Sequence, residues 1–517
     1  MALQTKLKFN VRPDQLSRLR SLPLFRKIST GRAKTRSMST TYFDTRRGDL
    51  RDMGVSLRVR RDDGNYLQTL KATAEAVGNA RVGYTFEATV SSERPSLSLI
   101  SPPTLRRRIQ DVVGDKLEPL IRVDVNRTDR PVSVGEGEHV VLEIEEGEIR
   151  AGDKSIAIAD VEFSASDAPL HQLYELALSV HEKVALYPVA ESESEIGYRH
   201  LGLTARPDQS GRGSPMRKRK KIEKVFSGVL QDCYEKLQTS ATRLHEGADI
   251  SLANGDLTTL IRLKTMLRVF LTLVPYEQGE AMLAEIEGFV RLFRAWEGWE
   301  TFDKRLVRPA QRRLGGDLEV DSLRDMVEQQ RRTAQAAAHD ALTSERFSGV
   351  LLTLGYWLAL NPWRDIGGLP KGAAPLDPIT PFAREVLSQK TRVIGKMAKR
   401  AVKTGDDPIR ELADEVLDFG YMIDLFADLY PAKKIEPIKI QIERVAARRS
   451  FLDALDSAWE NLGRMEDSAK GSSGTGTFAA GAVLGWHTRS RKTAERKLRV
   501  HVDALVDSKF PWSRSQV

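Results

Sequence analysis

Near residue 221 the spacing of the apolar residues changes from every second position to every third or fourth. Side chains alternate faces along a strand, but return to one face of a helix after three or four residues. No single layer of secondary structure accommodates both halves. The first half holds short alternating stretches: "VSLRVRR" (55–61), "NYLQTLKA" (65–72), "LIRVDVNRT" (120–128), "HVVLEIEEGEI" (139–149) and "IAIADVEFS" (156–164). Gly, Asp and Asn separate them, and "DDGN" (62–65) reads as a hairpin turn. The second half holds long amphipathic stretches such as "GEAMLAEIEGFVRLFRAWEGWETF" and "DPIRELADEVLDFGYMIDLFADLY", patterned as a helical bundle requires. The prediction is an α+β chain: an antiparallel sheet over 1–204, a basic linker over 205–221 and an all-α antiparallel bundle over 222–514.

Charge and composition remove several classes of function. The chain is net +9, but residues 205–224 hold eight basic and two acidic side chains, which accounts for +6 of it. An excess confined to one linker argues against a broad nucleic-acid face, and no specific nucleic-acid binding is expected. Cys233 is the single cysteine, so internal disulfides and thiolate metal sites are excluded. The eight histidines show no HxxxH or HExxH spacing, which argues against zinc. The longest apolar runs are too short to span a bilayer, the N-terminus has no signal-peptide core, and a cytoplasmic location is expected.

The chemistry-bearing residues lie on the strands. Alternation puts Arg58 and Arg60 on one face and Leu57 and Val59 on the other. After the turn, Lys71 comes beside the arginines from the next strand, and Arg127 is a further strand-borne cation. Like charges on one face need anions, and Glu87, Glu143, Glu145, Asp160 and Glu162 are the acids available on other strands. Such a face has two uses. It is either a solvated outer surface with cross-strand ion pairs, or the inside of a barrel whose cations grip phosphate while its carboxylates hold Mg²⁺ or Mn²⁺.

The chain resembles a CYTH domain (the triphosphate tunnel metalloenzymes) followed by a CHAD helical domain. The resemblance is carried by "YFDT" (42–45), by LRxR at 57–60, by "QTLKA" (68–72), and in the second half by "SERFSGVLLTLGYWL" and "AAGAVLGWHTRSRKTAERKLRVHVDALVDSKFPW". It implies an eight-stranded antiparallel tunnel that binds inorganic triphosphate or a related compound. Lys8, Arg58, Arg60, Lys71 and Arg127 would be phosphate ligands. Lys8, Glu87 and Glu145 would be catalytic, with Glu145, Asp160 and Glu162 around a Mg²⁺ or Mn²⁺ ion. The CHAD half would be a polyphosphate- or protein-partner-binding module.

The departures from the family pattern are specific. Where the first strand has ExExK, this chain has Gln4 and Lys6 with Lys8, and Glu193 stands where a phosphate-binding lysine is usual. An exchange pairing Lys6 with Glu193 would keep the fold and lose the metal. Alternatively, the remaining acids hold one ion. In the CHAD half, Thr258 and Arg410 take the histidine positions, and Glu411, Asp414, Glu415 and Asp418 make the second helix acidic. Two functions therefore stand at this point: metal-dependent triphosphate hydrolysis, or a disarmed tunnel that binds phosphate or serves as a scaffold.

Overall fold

The computed structural model describes residues 5–513 apart from 63, 74–82, 102, 136–137, 166–168, 190–191, 204–219, 251–254, 274–276, 315–319, 362, 364–376, 405–406 and 469–474. Most of the basic linker lies outside the described residues. Two compact units result: residues 1–211 with 345–360, and residues 212–344 with 361–517.

The first unit is built on one antiparallel sheet. Its strands are β1 (Thr5–Asn10), β2 (Lys34–Asp44), β3 (Val55–Asp62), β4 (Asn65–Thr73), β5 (Gly83–Val90), β6 (Glu118–Val134), β7 (Glu138–Ala151), β8 (Lys154–Ala165) and β9 (Tyr187–Pro188). The order is β5-β4-β3-β2-β6-β7-β8-β1-β9. Eight strands were expected, and the ninth is a two-residue pairing of β9 on β1. The β3–β4 hairpin closes at Asp62↔Asn65, with Gly64 at φ 84°. A two-residue loop needs that left-handed value, and glycine adopts it without a Cβ clash.

Alternation divides each strand between an outer apolar face and an inner polar one. Val55, Leu57 and Val59 of β3 are buried with Phe43, Leu70 and the helix Pro103–Val113. Phe9, Leu142, Val161 and Phe163 are buried against the helix Leu170–His181. Leu352, from the helix Glu345–Leu360, joins that second core. The amphipathic pattern predicts this helix, but it packs with the sheet domain: Ser348 Oγ donates to the Leu186 carbonyl, and Tyr174 meets Tyr356 edge-on with centroids 6.0 Å apart.

The inner face is polar at one end and apolar at the other. Along β7, Glu143 and Glu145 give way to Gly147, Ile149 and Ala151. Ile149 and Ala151 pack with Tyr42, Ile121, Val123, Ile158 and Tyr198. Tyr198 belongs to the helix Glu193–His200, which closes this end. A Cβ on Gly197 would fall 2.6 Å from Ile121 Cδ1, so the helix approaches this closely only with glycine there. The helix starts with a capping box in which Ser192 and Glu195 satisfy each other's backbone amides.

The second unit is all-α. Its longest helices are Ile222–His245, Asp256–Leu271, Glu277–Phe302, Val320–Leu342, Ile379–Thr404, Asp407–Phe426, Ala432–Ser468 and Thr475–Val506. Several acids of Asp407–Phe426 are matched by cations on neighbouring helices. Asp414 meets Arg449 at 2.9 Å, Glu415 meets Lys390, and Asp418 meets Arg268 at 2.8 Å and Lys264 at 3.9 Å. His487 is buried with Nε2 3.1 Å from the Leu306 carbonyl, packed within its helix layer. No described helix is long and apolar enough to cross a membrane.

Candidate functional site

Register places the charged residues on the inner face one strand at a time. Arg58 lies opposite Tyr42 on β2 and Thr69 on β4, and Glu87 of β5 lies opposite Thr69. Arg60 stands two residues along the same face. On the far wall Arg127 faces Glu145, Glu145 faces Asp160, and Lys8 faces Glu162. The sheet curls enough for its distant strands to meet electrostatically, since Lys71 of β4 feels both Lys6 of β1 and Glu162 of β8.

At the bottom of the polar half, three carboxylates converge. Ligand oxygens of Glu145, Asp160 and Glu193 lie within 4.8 Å of one another. Lys8 Nζ sits among them, 2.8 Å from Glu193 Oε1, 3.0 Å from Asp160 Oδ2 and 3.6 Å from Glu145 Oε2. Burial opposes the charge on Lys8, but the three anions outweigh it and raise its pKa. Burial likewise pushes the Glu145 and Asp160 carboxyls above the usual range. Glu193 is as buried, yet Lys8, Arg58 and the Tyr42 hydroxyl together hold it below that range.

Two of the three expected metal ligands, Glu145 and Asp160, are thus together, joined by Glu193. The third, Glu162, is instead paired with Lys6 at 2.5 Å. The exchange pair of Lys6 with Glu193 is replaced by Lys6–Glu162 and Lys8–Glu193. The reason is register: Lys6 lies opposite Ser164, two residues further from the closed end than Lys8, and reaches diagonally to Glu162. Arg127 is held by Glu143 at 2.5 Å, Asp129 at 2.7 Å and Glu145 at 3.7 Å. Glu87, expected to be catalytic, is exposed on β5, where it accepts from Thr69 Oγ1 at 3.3 Å, away from the cluster.

Across the tunnel the balance is reversed. Arg58 Nη1 donates to the Tyr42 hydroxyl at 3.2 Å, and that hydroxyl donates to Glu193 Oε2 at 3.2 Å. Arg58 Nε is buried with no partner among the described residues. Lys71 stays solvent-accessible, and partial loss of hydration, then Arg58 and Lys6, lowers its pKa. Tyr42 was not singled out as a site residue. Its place in "YFDT", at a position that alternation turns inward beside Arg58, was the available signal. Burial, then Glu193, pushes its phenol up to about 12, so it stays protonated.

Three convergent carboxylates are the hard donors that suit Mg²⁺ or Mn²⁺. Here the ammonium of Lys8 already lies within hydrogen-bonding distance of two of them. A small divalent ion needs its oxygens at about 2.0–2.1 Å and cannot share that space. The residues as arranged do not fit a divalent metal.

Two family models match the chain: the CYTH domain over residues 4–192 and the CHAD domain over 228–470. Several solved structures resemble parts of it. The CHAD domain from the plant Ricinus communis is 18% identical, covering 58% of this chain and 97% of that one, with a TM-score of 0.48. PptA from Streptomyces chartreusis is 14% identical, covering 55% and 100%, with a TM-score of 0.42. A Hippeastrum protein described as having a dominant triphosphatase activity is 16% identical, covering 40% and 98%, with a TM-score of 0.27.

Proposed function

Because the chain consists of a CYTH domain followed by a CHAD domain, we propose that the tunnel of the first domain binds inorganic triphosphate or a related triphosphorylated compound. The observation that carries this reading is the pair Arg58 and Lys71. Both face the tunnel with no carboxylate within 4.0 Å among the described residues. Lys6, Lys8, Arg36 and Arg127 all have one. A buried guanidinium with an unused Nε, next to a lysine whose charge its neighbours oppose, is stabilised by an incoming polyanion. Arg60 extends the same face, and Arg127 and Lys8 line the opposite wall as further phosphate contacts.

Hydrolysis of the terminal phosphoanhydride is the second reading, and Glu145 favours it. Its carboxyl, raised by burial and lying beside Lys8, has the character of a general base for a water molecule. The CHAD domain reads as a partner-binding bundle and not as a polyphosphate groove, since the helix that would be basic carries acids already paired to its neighbours.

Calorimetric titration of inorganic triphosphate into the full chain tests the binding. Each charge-assisted hydrogen bond is worth about 1.5–3 kcal/mol, so Arg58→Ala should weaken binding by about ten- to a hundredfold. Equal affinity in wild type and Arg58→Ala would reject the reading. Phosphate release from the same samples, lost in Glu145→Gln, tests hydrolysis.

A further inference from the structure

We propose that Lys8 is the resident cation of the Glu145–Asp160–Glu193 cluster, taking the place of a divalent metal, so that the tunnel receives its phosphate ligand without one. Three observations converge on it. The ammonium is 2.8, 3.0 and 3.6 Å from the three carboxylates, inside the space a metal would need. Each carboxylate also has a second partner besides Lys8: Asn10 Nδ2 donates to Asp160, the Tyr42 hydroxyl donates to Glu193, and Arg127 lies 3.7 Å from Glu145. The cluster is therefore satisfied by the chain's own groups. Lastly, the backbone carrying Lys8 is fixed, since the strand pairs with β8 on one side and β9 on the other, and Phe9 is buried in the core behind it.

A further cation on the same strand fits this arrangement. Lys6 takes Glu162 for itself, which removes another acid that could recruit a metal. An ammonium on a strand has a single charge and cannot be chelated away. A tunnel built on it is indifferent to metal supply, and its inner charge is set by the sequence.

Only the second half of the proposal, phosphate without metal, rests on the reading of the tunnel as a triphosphate site. The test uses Mn²⁺ alone, so its failure is separate from a failure to bind triphosphate. Free Mn²⁺ is measured by electron paramagnetic resonance in titrations of the full chain. The wild type should hold no Mn²⁺ that Glu193→Gln releases. Lys8→Met should gain one Mn²⁺, at least tenfold tighter than any wild-type site, and lose it again when Glu193→Gln is added. Lys8→Gln serves as a second variant, with circular dichroism matched to wild type as the check on folding. A wild-type Mn²⁺ that Glu193→Gln releases overturns the proposal, as does a folded Lys8 variant that gains none. Should both variants fail to fold, the wild-type comparison with Glu193→Gln still decides.

Discussion

Replacing Asp44 with asparagine should loosen the closed end of the tunnel. Asp44 is fully buried, and no cation neutralises it among the described residues. Its Oδ1 accepts from the amides of Thr45 at 2.7 Å and Leu50 at 2.8 Å. Its Oδ2 accepts from the amide of Arg51 at 3.0 Å and the hydroxyl of Tyr198 at 2.9 Å. The carboxylate thus starts the short helix Asp49–Asp52 and ties down the helix Glu193–His200, which carries Glu193. Asparagine keeps one acceptor oxygen, and its amide N–H₂ must face two of the four donors. The Tyr198 hydroxyl can rotate to accept, but a backbone N–H cannot. One buried donor is stranded and the charge assistance of the others is lost, a cost of about 2–4 kcal/mol. Hydrogen exchange read by mass spectrometry should show amide protection in 45–53 and 193–203 falling by about thirtyfold to several hundredfold. Tyr198→Phe removes one bond only and should cost about 1–2 kcal/mol. Unchanged exchange in both segments of a folded Asp44→Asn protein would refute this reasoning, and so would a larger loss in Tyr198→Phe.

Glu193→Gln removes a negative charge from beside Lys8 and near Arg58, so it should tighten triphosphate binding by about tenfold; calorimetry showing weaker binding would count against the tunnel assignment. The lowered pKa of Lys71 gives a pH dependence with a definite sign. Free protein loses the Lys71 proton below the ordinary lysine value, and bound triphosphate pulls it back, so affinity should fall as pH rises toward that value. Lys71→Arg, always charged, should flatten that profile. In the helical domain, Asp418→Ala leaves Lys264 and Arg268 without their shared anion and should destabilise the bundle by about 1–2 kcal/mol, read as lost amide protection in 256–271.

Some of this was legible in the sequence because it depends only on neighbours along the chain. The alternation that separates Arg58 and Arg60 from Leu57 and Val59, the turn at 62–65 and the helical period after 221 are all local signals, and the antiparallel sheet and the helical domain follow from them. The charge pattern of the first strand was equally plain, since Gln4 and Lys6 announce a disturbed metal site. What alternation could not supply was the choice of partner. Lys6 takes Glu162 and Lys8 takes Glu193 because of the β1–β8 register and the placement of one helix end, both fixed by contacts more than a hundred residues away in sequence. The pattern of 345–360 likewise declares a helix without declaring that its core is the one around Phe163 and Leu173. Asp44 was visible as part of "YFDT", but its role requires Tyr198.

The most direct test of the central claim is a triphosphate titration of the wild-type chain in excess chelator, compared with the same titration in Mg²⁺ after correction for metal-complexed ligand. With Lys8 as the tunnel's own cation, affinity in chelator should match that in Mg²⁺ to within about threefold. Binding that vanishes in chelator and returns with Mg²⁺ or Mn²⁺ would contradict it.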